Sequence, residues 1–393
     1  MRILIIHNKY QLRGGEDAVF ESESKLLSDH GQQVETLLFD NDTFKTLLGK
    51  LTAAFGSIYN FESSRILRKK IKEFKPDIIH VHNFFDIASP SIFYTAKRYK
   101  VPIIMTLHNY RLICPSATLF FNDEIYEKSI NRIFPLEAIF KGVYRNSRIE
   151  TAMLVVITGV HKLFKTWNSC IDSYIALTQF ARSIFLNSSL NVDAAKITVK
   201  PNFVVDSGFN IQGRENFFLF VGRLSSEKGV SKLIEAAKNL PQIDFSIIGD
   251  GPLKNFVVDA AKEHKNIKYL GFQNKEFIIE QLKKSRALIF PSLWYEGFPM
   301  TILEAFSCGT PVLASDLGGP REIISNEKNG LLFNYKDPSD LVKTIKRIAV
   351  DDSLHVEMCE NARKTYDDFY TPEKNYHQLI EIYNTVIEKS KDS

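Results

Sequence analysis

Two glutamates in the glycine- and proline-rich segment 290–319 are the strongest candidates for chemistry in this sequence. Glu296 lies in a loop, and a helix is expected to begin near Pro299, a favourable first-turn residue. Glu304 follows about a turn and a half into that helix, so the two carboxylates come from different elements around one helix N-terminus. Free backbone N–H groups there can bind phosphate or sugar hydroxyls, and the carboxylates can accept hydrogen bonds from hydroxyls. The alternative is that Glu296 only complements the helix dipole and Glu304 is solvated. The surrounding glycines and prolines favour a ligand site.

A second candidate is the turn GRLSSEKG, residues 222–229, which follows a predicted strand. Arg223 offers a planar fork of donors and Lys228 a point charge, and this combination suits a bound diphosphate. The alternative is that Glu227 merely pairs with these neighbours. We favour the diphosphate site.

Two further glycine pairs follow predicted strands. Gly14 and Gly15 open a helix, where the backbone can approach a ligand and the helix N-terminus favours negative charge, although such pairs also form ordinary turns. Gly249 and Gly251, in IGDGP, superficially suggest a dinucleotide fingerprint. Lys254 occupies the position of its third glycine, so a nicotinamide site is poorly supported. We expect a tight strand-to-helix turn near a nucleotide base.

Histidines also lie at predicted strand ends. His108 occurs in TLHN, whereas His7 has no distinguishing context. His80 and His82 alternate along one strand and are expected to face opposite sides of the sheet. Residues 40–42, Asp-Asn-Asp, resemble a metal-binding Asp-x-Asp, but their place after the second strand favours a turn.

The elements that must position these residues alternate along nearly the whole chain. Apolar strands separated by amphipathic helices predict parallel sheets wound on both faces. The predicted strands are Arg2–His7, Gln33–Phe39, Asp77–His82, Pro102–Leu107, Asp172–Leu177, Phe217–Val221, Ile243–Ile248, Ile267–Leu270, Ala287–Phe290 and Pro311–Ala314. The predicted helices include Val230–Asn239, Leu253–Glu263, Phe277–Ser285, Leu341–Ile348 and a final helix over Pro372–Lys389. A polar join at residues 201–216 separates two such series, so two Rossmann-like domains are expected.

Composition agrees with a two-domain enzyme. The 393 residues are 44% hydrophobic and 24% charged, which excludes a disordered chain. The four cysteines have neither metal-ligand nor disulfide spacing, which predicts free thiols in a reducing cytoplasm. No signal-peptide pattern begins the sequence, and no apolar run approaches the roughly 18 residues that span a bilayer. Residues 51–200 carry 20 Lys and Arg against 11 Asp and Glu. This excess could face anionic lipid, a phosphate-bearing acceptor or nucleic acid, or simply be solvated.

The glutamate segment allows a family resemblance to be stated. Glu296, seven intervening residues and Glu304, within EGFPMTILEAFSCGTPVLAS, closely resemble the signature of family 4 retaining glycosyltransferases of the GT-B fold. The resemblance covers nearly the whole chain, because RGGEDAVF, HVHN, TLHNYRLICPSA, VKPNFV, FVGRLSSEKG and IIGDGP occur in the family's order. The N-terminal and middle segments look most like the branch that builds bacterial surface polysaccharides such as capsule, O-antigen or exopolysaccharide.

The resemblance implies an α/β fold with two Rossmann-like, doubly wound domains facing across a cleft, and a C-terminal helix that returns to the N-terminal domain. Residues 1–203 with 371–393 would bind the acceptor, and residues 204–370 would bind a nucleotide-sugar. By the same resemblance, Arg223 and Lys228 neutralise the donor diphosphate and Glu304 holds the ribose hydroxyls. Glu296 lies near the donor sugar. The other residues implied to contact the donor are His108, Gly14, Gly15, Gly249, Gly251, Gly297, Phe298, Pro299 and Met300.

The implied activity is retaining transfer of a hexose or deoxyhexose from a UDP-, GDP- or dTDP-sugar to a glycan acceptor, carried on a polyprenyl diphosphate or otherwise. Departure of the diphosphate develops negative charge, which Arg223, Lys228 and helix N-termini would stabilise without a metal. The Glu296/Glu304 pair is therefore not interpreted as a glycosidase's two carboxylates. Two alternatives stay open: a sugar-nucleotide epimerase of the same architecture, and a catalytically silent sugar-binding partner subunit. No motif supports binding to nucleic acid.

The acceptor side is marked by two basic segments. Residues 65–75 form a basic helical patch. Residues 134–167 combine aromatic and apolar side chains with the cations Lys141, Arg145, Arg148, Lys162 and Lys165. Such a segment can lie in a membrane interface, or it can pack on the first domain with its cations solvated. We expect a cytoplasmic protein with peripheral contact to the anionic inner face of the plasma membrane.

Overall fold

The computed structural model describes residues 1–9, 14–40, 58–85 and 87–391. The chain divides into two compact units. The N-terminal unit comprises Met1–Leu119, Tyr126–Pro201 and Asn375–Ser393, and the C-terminal unit comprises Phe120–Ile125 and Asn202–Lys374.

The N-terminal unit contains a six-stranded parallel sheet in the order β2-β1-β3-β4-β7-β8. Its strands are β1 (Arg2–Lys9), β2 (Gln33–Asp40), β3 (Ile78–Val81), β4 (Ile103–Leu107), β7 (Ser173–Ala176) and β8 (Ile197–Val199). A two-stranded antiparallel hairpin, β5 (Phe120–Phe121) and β6 (Glu124–Ile125), follows β4 in the sequence. The apolar runs of β1, β3 and β4 are buried because helices cover the sheet.

Helices follow most of these strands. They are α1 (Gly15–Asp29), α2 (Phe61–Phe74), α3 (Ser91–Arg98), α4 (Leu136–Lys141), α5 (Arg148–Leu163), α6 (Thr166–Ser169) and α7 (Gln179–Leu186). Local capping explains where two of them begin. The Asn60 side chain accepts hydrogen bonds from the first-turn N–H groups of α2, and Ser147 caps α5 in the same way.

The C-terminal unit contains a second six-stranded parallel sheet, in the order β11-β10-β9-β12-β13-β14. Its strands are β9 (Phe217–Val221), β10 (Asp244–Ile248), β11 (Ile267–Gly271), β12 (Ala287–Phe290), β13 (Val312–Ser315) and β14 (Gly330–Phe333). Alternate residues of β9 enter two different hydrophobic clusters, with Phe218 and Phe220 in one and Phe217 and Leu219 in the other. Both faces of this sheet are therefore buried, as a doubly wound sheet requires.

The remaining helices are α8 (Val230–Lys238), α9 (Lys254–Glu263), α10 (Lys275–Lys284), α11 (Met300–Ser307), α12 (Gly318–Ile323), α13 (Pro338–Val350), α14 (Asp352–Phe369) and α15 (Pro372–Lys391). Helix α15 packs in the core of the N-terminal unit, where Leu379 and Tyr383 join Ile3 and Ile5. The predicted α/β class with two Rossmann-like sheets is confirmed, and so is the return of the last helix.

All ten predicted strands are present, with ends that differ by at most two residues. The sequence analysis missed β8, β14 and the hairpin β5–β6. Strand β8 has only three residues, and β14 begins with Gly330, so neither has a long β-branched run. Gly330 is required there because a Cβ atom would lie 2.2 Å from the carbonyl oxygen of Val312 in β13.

Candidate active site

The strand order of the C-terminal unit determines where a ligand site can form. Counted within the unit, the order is 3-2-1-4-5-6, and the connections reverse direction between β9 and β12. Ligands of open α/β sheets bind beyond the carboxyl ends of strands at this switch point. The two loops that emerge there are residues 222–229 after β9 and 291–299 after β12. They carry Arg223, Lys228 and Glu296, which sequence analysis had selected separately.

Close backbone packing joins these two loops. Gly229 has a positive φ of 69°, and a Cβ atom there would lie 1.8 Å from the carbonyl oxygen of Pro291. The backbone N–H of Leu293 also donates to the carbonyl of Glu227 at 2.8 Å. Only glycine permits this approach and this backbone conformation. The approach holds the end of the first loop directly beside the second.

Glu296 is the polar centre of the joined loops. It is buried, and its Oε1 atom accepts hydrogen bonds from Lys228 Nζ at 2.7 Å and from Trp294 Nε1 at 2.8 Å. The Ser292 hydroxyl donates to the same oxygen. Among the residues that the structure describes, no donor reaches Oε2. One carboxylate oxygen thus fixes the side chain, and the other stays available to a ligand hydroxyl.

Lys228 and Arg223 differ in how they are held. Lys228 lies between Glu296 and the ring of Trp294, with Nζ 5.3 Å from the ring centroid. Arg223 is exposed, and no carboxylate of the described ranges pairs with it. Glu227 instead accepts a hydrogen bond from the Ser225 hydroxyl at 2.5 Å. Pairing of Glu227 with the two cations, the alternative interpretation, is therefore not observed, and Arg223 stays available to an anion.

Glu304 lies in α11, the helix that follows this loop. Its carboxylate is 3.4 Å from Lys275 Nζ, and its side chain is 17% exposed. Burial raises the pKa of Glu304, while Lys275 opposes the shift. Glu304 is therefore not a solvated surface residue. Preceding it, the backbone of Gly297, Phe298, Pro299 and Met300 forms the end of the loop and the start of α11.

Close packing explains why positions 249 and 251 are both glycine. A Cβ atom on Gly249 would lie 1.9 Å from the carbonyl oxygen of Gly222, and one on Gly251 would lie 2.5 Å from that of Leu224. The loop after β10 therefore rests directly on the loop after β9. The two glycines support the loop that carries Arg223, whether or not they touch a ligand themselves.

Gly14 and Gly15 start helix α1 in the N-terminal unit. Gly14 has an extended backbone, and its N–H donates to Asp17 Oδ2 at 2.8 Å. The other oxygen of Asp17 is 2.8 Å from His7 Nε2. Among the described residues, no atom lies within 4 Å of a Cβ placed on Gly15, so their packing does not require a glycine there.

His108 directly follows β4 and lies beside His82, with His82 Nδ1 and His108 Nε2 separated by 3.0 Å. Burial lowers the pKa of His108 well below its ordinary value, and the neighbouring His82 adds to the shift. The expectation that His80 and His82 face opposite sides of the sheet is wrong, because their ring centroids are only 4.4 Å apart. Side chains two residues apart in a strand project to the same face, so both rings lie on one side of the sheet.

Glu23, His80 and His82 form the one group of potential metal ligands found in the described part of the chain, with ligand atoms within 4.8 Å of one another. Both ring nitrogens of His80 are already hydrogen-bonded, to Tyr383 and to Thr106, each at 2.7 Å. Lys200 places an ammonium group 2.6 Å from Glu23. The donor set does not fit a metal ion. Residues 41 and 42 of the Asp-Asn-Asp motif lie outside the described residues.

Sequence reasoning missed several partners. Ser292 and Trp294 lie in the same loop as Glu296, four and two residues before it, and this spacing was an available signal. The partners Lys275 and Lys200 could not be predicted from local sequence. Each lies far in sequence from the glutamate that it pairs with, Glu304 and Glu23 respectively. Lys162, one of the cations of the segment 134–167 that we expected at a membrane interface or in solvent, is buried and donates to the carbonyl of Arg132 at 3.2 Å. Burial lowers the pKa of Lys162 to about 8.

Known proteins share this architecture. The crystal structure of Anabaena Alr3699/HepE in complex with UDP superposes with a TM-score of 0.68 at 17% identity, covering 98% of this chain and 100% of that one. Residues 206–365 match the family model for glycosyl transferases group 1, and residues 52–207 match that for glycosyltransferase family 4. The chain has the GT-B glycosyltransferase fold.

Curated relatives of this GT-B chain carry more specific names. A UDP-Gal:alpha-D-GlcNAc-diphosphoundecaprenol alpha-1,3-galactosyltransferase of Escherichia coli is 32% identical over 238 residues, covering 54% of this chain and 60% of the relative. O-antigen chain mannosyltransferase C of Escherichia coli is 28% identical over 180 residues, covering 44% and 48%. The chain spans about half the length of the curated relatives it matches.

No helix in the described ranges of this GT-B chain combines the length and the apolar character needed to cross a bilayer.

Proposed function

We propose that this chain is a retaining glycosyltransferase that moves a hexose or deoxyhexose from a nucleotide-diphosphate-sugar to a lipid-linked glycan in surface-polysaccharide synthesis. The observation that carries the proposal is the junction of the loops after β9 and β12. It brings Lys228 onto Glu296 and leaves Arg223 without a carboxylate partner among the described residues. Two cations, one oriented and one available, suit a diphosphate.

The leaving group determines the chemistry that these side chains supply. Cleavage of the glycosyl–phosphate bond places negative charge on the departing diphosphate, and Arg223 and Lys228 would stabilise that charge in place of a metal. Glu296 Oε1 holds the ammonium group of Lys228 in one position, so little reorganisation accompanies the reaction. Glu296 Oε2 would accept a hydrogen bond from a donor-sugar hydroxyl, and Glu304 from the ribose hydroxyls.

Retention of the anomeric configuration would follow from attack by the acceptor hydroxyl on the face from which the diphosphate leaves. A diphosphate oxygen takes the acceptor proton in this scheme, and no covalent glycosyl-enzyme forms. His108 would contact the donor sugar, while Gly14 and Gly15 would lie beside the diphosphate. The named substrates of the Escherichia coli galactosyltransferase support UDP-galactose and a diphosphoundecaprenol-linked glycan as the first donor and acceptor to test.

Thermal unfolding with UDP, GDP or dTDP, in EDTA, tests the diphosphate site. A nucleotide at 100 times its dissociation constant should stabilise the protein by about 2.7 kcal/mol. We expect one nucleotide to raise the melting temperature, and Arg223→Ala and Lys228→Ala to abolish the rise. Lys238→Ala removes an exposed lysine from α8 and is the matched control. Absence of any rise without metal, and a rise when Mg²⁺ is added, would contradict the metal-free site.

Transfer itself is tested by incubating the donor with and without a lipid-linked glycan. We expect product only with the acceptor, with the anomeric configuration of the donor retained in its NMR spectrum. Conversion of the nucleotide-sugar without acceptor would instead identify an epimerase. Nucleotide binding without any turnover, across UDP-, GDP- and dTDP-sugars, would indicate the silent sugar-binding subunit.

We further propose that the acceptor reaches the site from an anionic membrane that α5 contacts. The side of α5 that faces solvent is apolar and carries Ile149, Ala152, Met153, Val156, Val160 and Leu163. Ile149 is 75% exposed and Leu163 58%. The exposed cations are Arg145 before the helix, Arg148 at its first position and Lys165 after it. An apolar helix face flanked by cations is the pattern of an interfacial helix.

The basic helix α2 continues this surface. His161, near the end of α5, hydrogen-bonds through Nε2 to the carbonyl oxygen of Ile58, just before α2, at 2.9 Å. Phe61 at the start of α2 is 81% exposed. The exposed cations of α2 are Arg65, Arg68, Lys69 and Lys72. Anionic headgroups would neutralise these cations while the α5 face enters the acyl boundary.

Flotation with phosphatidylglycerol-containing vesicles tests this contact. We expect binding that weakens with salt and is lost in Ile149→Glu/Leu163→Glu. Val350→Glu changes an exposed valine of the C-terminal unit and should bind normally. No binding at low salt would overturn the membrane contact. A wild-type dimer that the double variant dissociates, without vesicle binding, would assign the face to a second copy of the chain.

A further inference from the structure

The N-terminal unit contains a buried ion pair that the proposed chemistry does not use. Lys200 Nζ lies 2.6 Å from Glu23 Oε1, and the two side chains are 1% and 2% exposed. Glu23 belongs to α1, and Lys200 directly follows β8. Burial disfavours the charged carboxylate, but Lys200 and the neighbouring histidines outweigh it and hold the pKa of Glu23 well below its ordinary value. Glu23 is therefore ionised and can only accept hydrogen bonds.

The second oxygen of Glu23 meets the histidine pair. Glu23 Oε2 is 3.3 Å from His82 Nε2, within ion-pair distance, and neither buried atom makes a hydrogen bond of ordinary geometry in the described part of the chain. His82 Nδ1 in turn lies 3.0 Å from His108 Nε2. The side chains therefore form a continuous series from Lys200 through Glu23 and His82 to His108.

The ionised carboxylate determines the position of each proton along this series. Because Glu23 carries no proton, a neutral His82 that pairs with it donates from Nε2 and accepts at Nδ1. His108 must donate from Nε2 to fill that acceptor, which leaves its Nδ1 bare. His80 does not compete for Glu23, because Tyr383 and Thr106 occupy both of its nitrogens.

The ion pair is anchored where the chain passes between the two units, at Pro201–Asn202 and at Lys374–Asn375. Lys200 Nζ also donates to Asn375 Oδ1 at 3.1 Å, and Asn375 Nδ2 donates to the carbonyl of Pro201 at 2.8 Å. One ammonium group therefore connects both of these crossings to Glu23. This arrangement fixes the carboxylate more firmly than α1 alone.

We propose that Glu23, held by Lys200, is a positioning residue that fixes His82 and thereby His108 in the Nε2–H tautomer, so that His108 Nδ1 accepts a hydrogen bond from a donor-sugar hydroxyl. The sugar contact rests on the proposed function, but the tautomers do not. A carboxylate that orients a histidine through its second nitrogen is a general device for setting which nitrogen meets the ligand.

Two double variants separate positioning from folding. Glu23→Met/Lys200→Met replaces the buried pair with apolar side chains, which cores often tolerate, and removes the acceptor for His82. Glu23→Gln/Lys200→Met removes the same charges but keeps an amide oxygen at position 23. Both variants lose the hydrogen bond from Lys200 to Asn375, so this loss does not affect the comparison between them.

The substrate-free measurement is the nitrogen NMR spectrum of ¹⁵N-histidine-labelled protein, assigned with His82→Gln and His108→Gln. We expect neutral Nε2–H tautomers for His82 and His108 in the wild type and in Glu23→Gln/Lys200→Met. The Glu23→Met/Lys200→Met variant should show a tautomer mixture at His108. An Nδ1–H tautomer of His108 in the wild type, or an unchanged spectrum in the double-Met variant, would overturn the proposal.

Kinetics supply the second measurement. The double-Met variant should lose about 10- to 100-fold in kcat with little change in the donor KM, as when an outer-shell partner of a functional histidine is removed. The Gln/Met variant should recover most of this loss. Equal kcat values for the two variants would show that the pair has only a structural role. If the wild type transfers no sugar, the proposed function fails, and the NMR result still decides the tautomers.

Discussion

A buried lysine–glutamate pair in the N-terminal unit and a more open one in the C-terminal unit differ in exposure rather than in length. Lys200 and Glu23 in the N-terminal unit are 2.6 Å apart and 1% and 2% exposed. Lys228 and Glu296 in the C-terminal unit are 2.7 Å apart and 24% and 7% exposed. Distance alone does not separate a structural pair from a binding pair. Solvent access distinguishes the two, because only the ammonium group of Lys228 is open to an incoming anion.

Burial of a charged pair increases the stability that is lost when one partner is removed, whereas exposure lets the pair bind a ligand. Breaking a buried pair leaves an uncompensated charge in a medium of low dielectric constant, whereas a partly exposed pair is compensated by water. The buried pair should therefore dominate stability, and the open pair should dominate activity.

The largest expected effect is on stability. Lys200→Met should destabilise the N-terminal unit by about 3–5 kcal/mol, because Glu23 is left buried without a partner. Lys228→Met should cost about 1 kcal/mol or less. The chain has two tryptophans, Trp167 in the N-terminal unit and Trp294 in the C-terminal unit, so urea unfolding followed in Trp294→Phe and Trp167→Phe backgrounds reports each unit separately. Equal losses from the two substitutions would refute the distinction by exposure.

The second effect is on transfer. Lys228→Ala should lower kcat about 100- to 1,000-fold, as when one preorganised charge-stabilising group is removed, while the protein stays folded. Steady-state kinetics with Lys238→Ala as the control measure this. A change confined to KM would mean that Lys228 binds the donor without favouring the transition state.

The third effect compares glycines of the two units. Gly229→Ala should destabilise the C-terminal unit by at least about 1–3 kcal/mol, because its φ is positive and its Cβ atom would strike Pro291. In Gly15→Ala the new methyl group meets no atom of the part of the chain that the structure describes, so stability should be unchanged or slightly raised. Transfer by Gly15→Ala should still fall, since a methyl group would enter the proposed diphosphate position. Unaltered transfer would remove Gly15 from the site.

The last effect is a pH dependence. Burial holds the pKa values of His80 and His108 well below 6.5 and that of His161 below it, all in the N-terminal unit. In the C-terminal unit, burial lowers the pKa of His355 to about 4. A histidine with a depressed folded-state pKa makes the unfolded chain bind more protons below pH 6.5, so stability falls as pH falls. The low pKa of Glu23 acts in the same direction below about pH 4.5.

The tryptophan variants measure this dependence between pH 8 and pH 5. The N-terminal unit, with three such histidines against one, should lose more stability over this range. Stability of the N-terminal unit that rises on acidification would mean that its histidines are charged in the folded state. The proton positions inferred for His82 and His108 would then be wrong.

Much of this molecule could be predicted before its structure. All ten predicted strands are present because uninterrupted apolar runs flanked by amphipathic helices have few other stable arrangements. The importance of residues 290–319 was also visible, since spacing and glycine content are local properties. Strands β8 and β14 were not predicted because three or four residues are too few to show a periodic pattern. The burial of Lys162 was not predicted because the carbonyl that accepts its hydrogen bond, that of Arg132, lies 30 residues away in sequence.

The sequence by itself determined the element types, the parallel sheets and the candidate residues Arg223, Lys228, Glu296 and Glu304, because each depends on residue type and short spacing. Only the tertiary structure decided which of them meet. The Lys228–Glu296 pair spans 68 residues and the Lys200–Glu23 pair 177. Strand order brings the loops that carry Lys228 and Glu296 together at a switch point, whereas packing of α1 brings Glu23 to Lys200. Burial then decides which pair is enclosed and which stays open to an anion. Both depend on long-range packing, which no local pattern encodes.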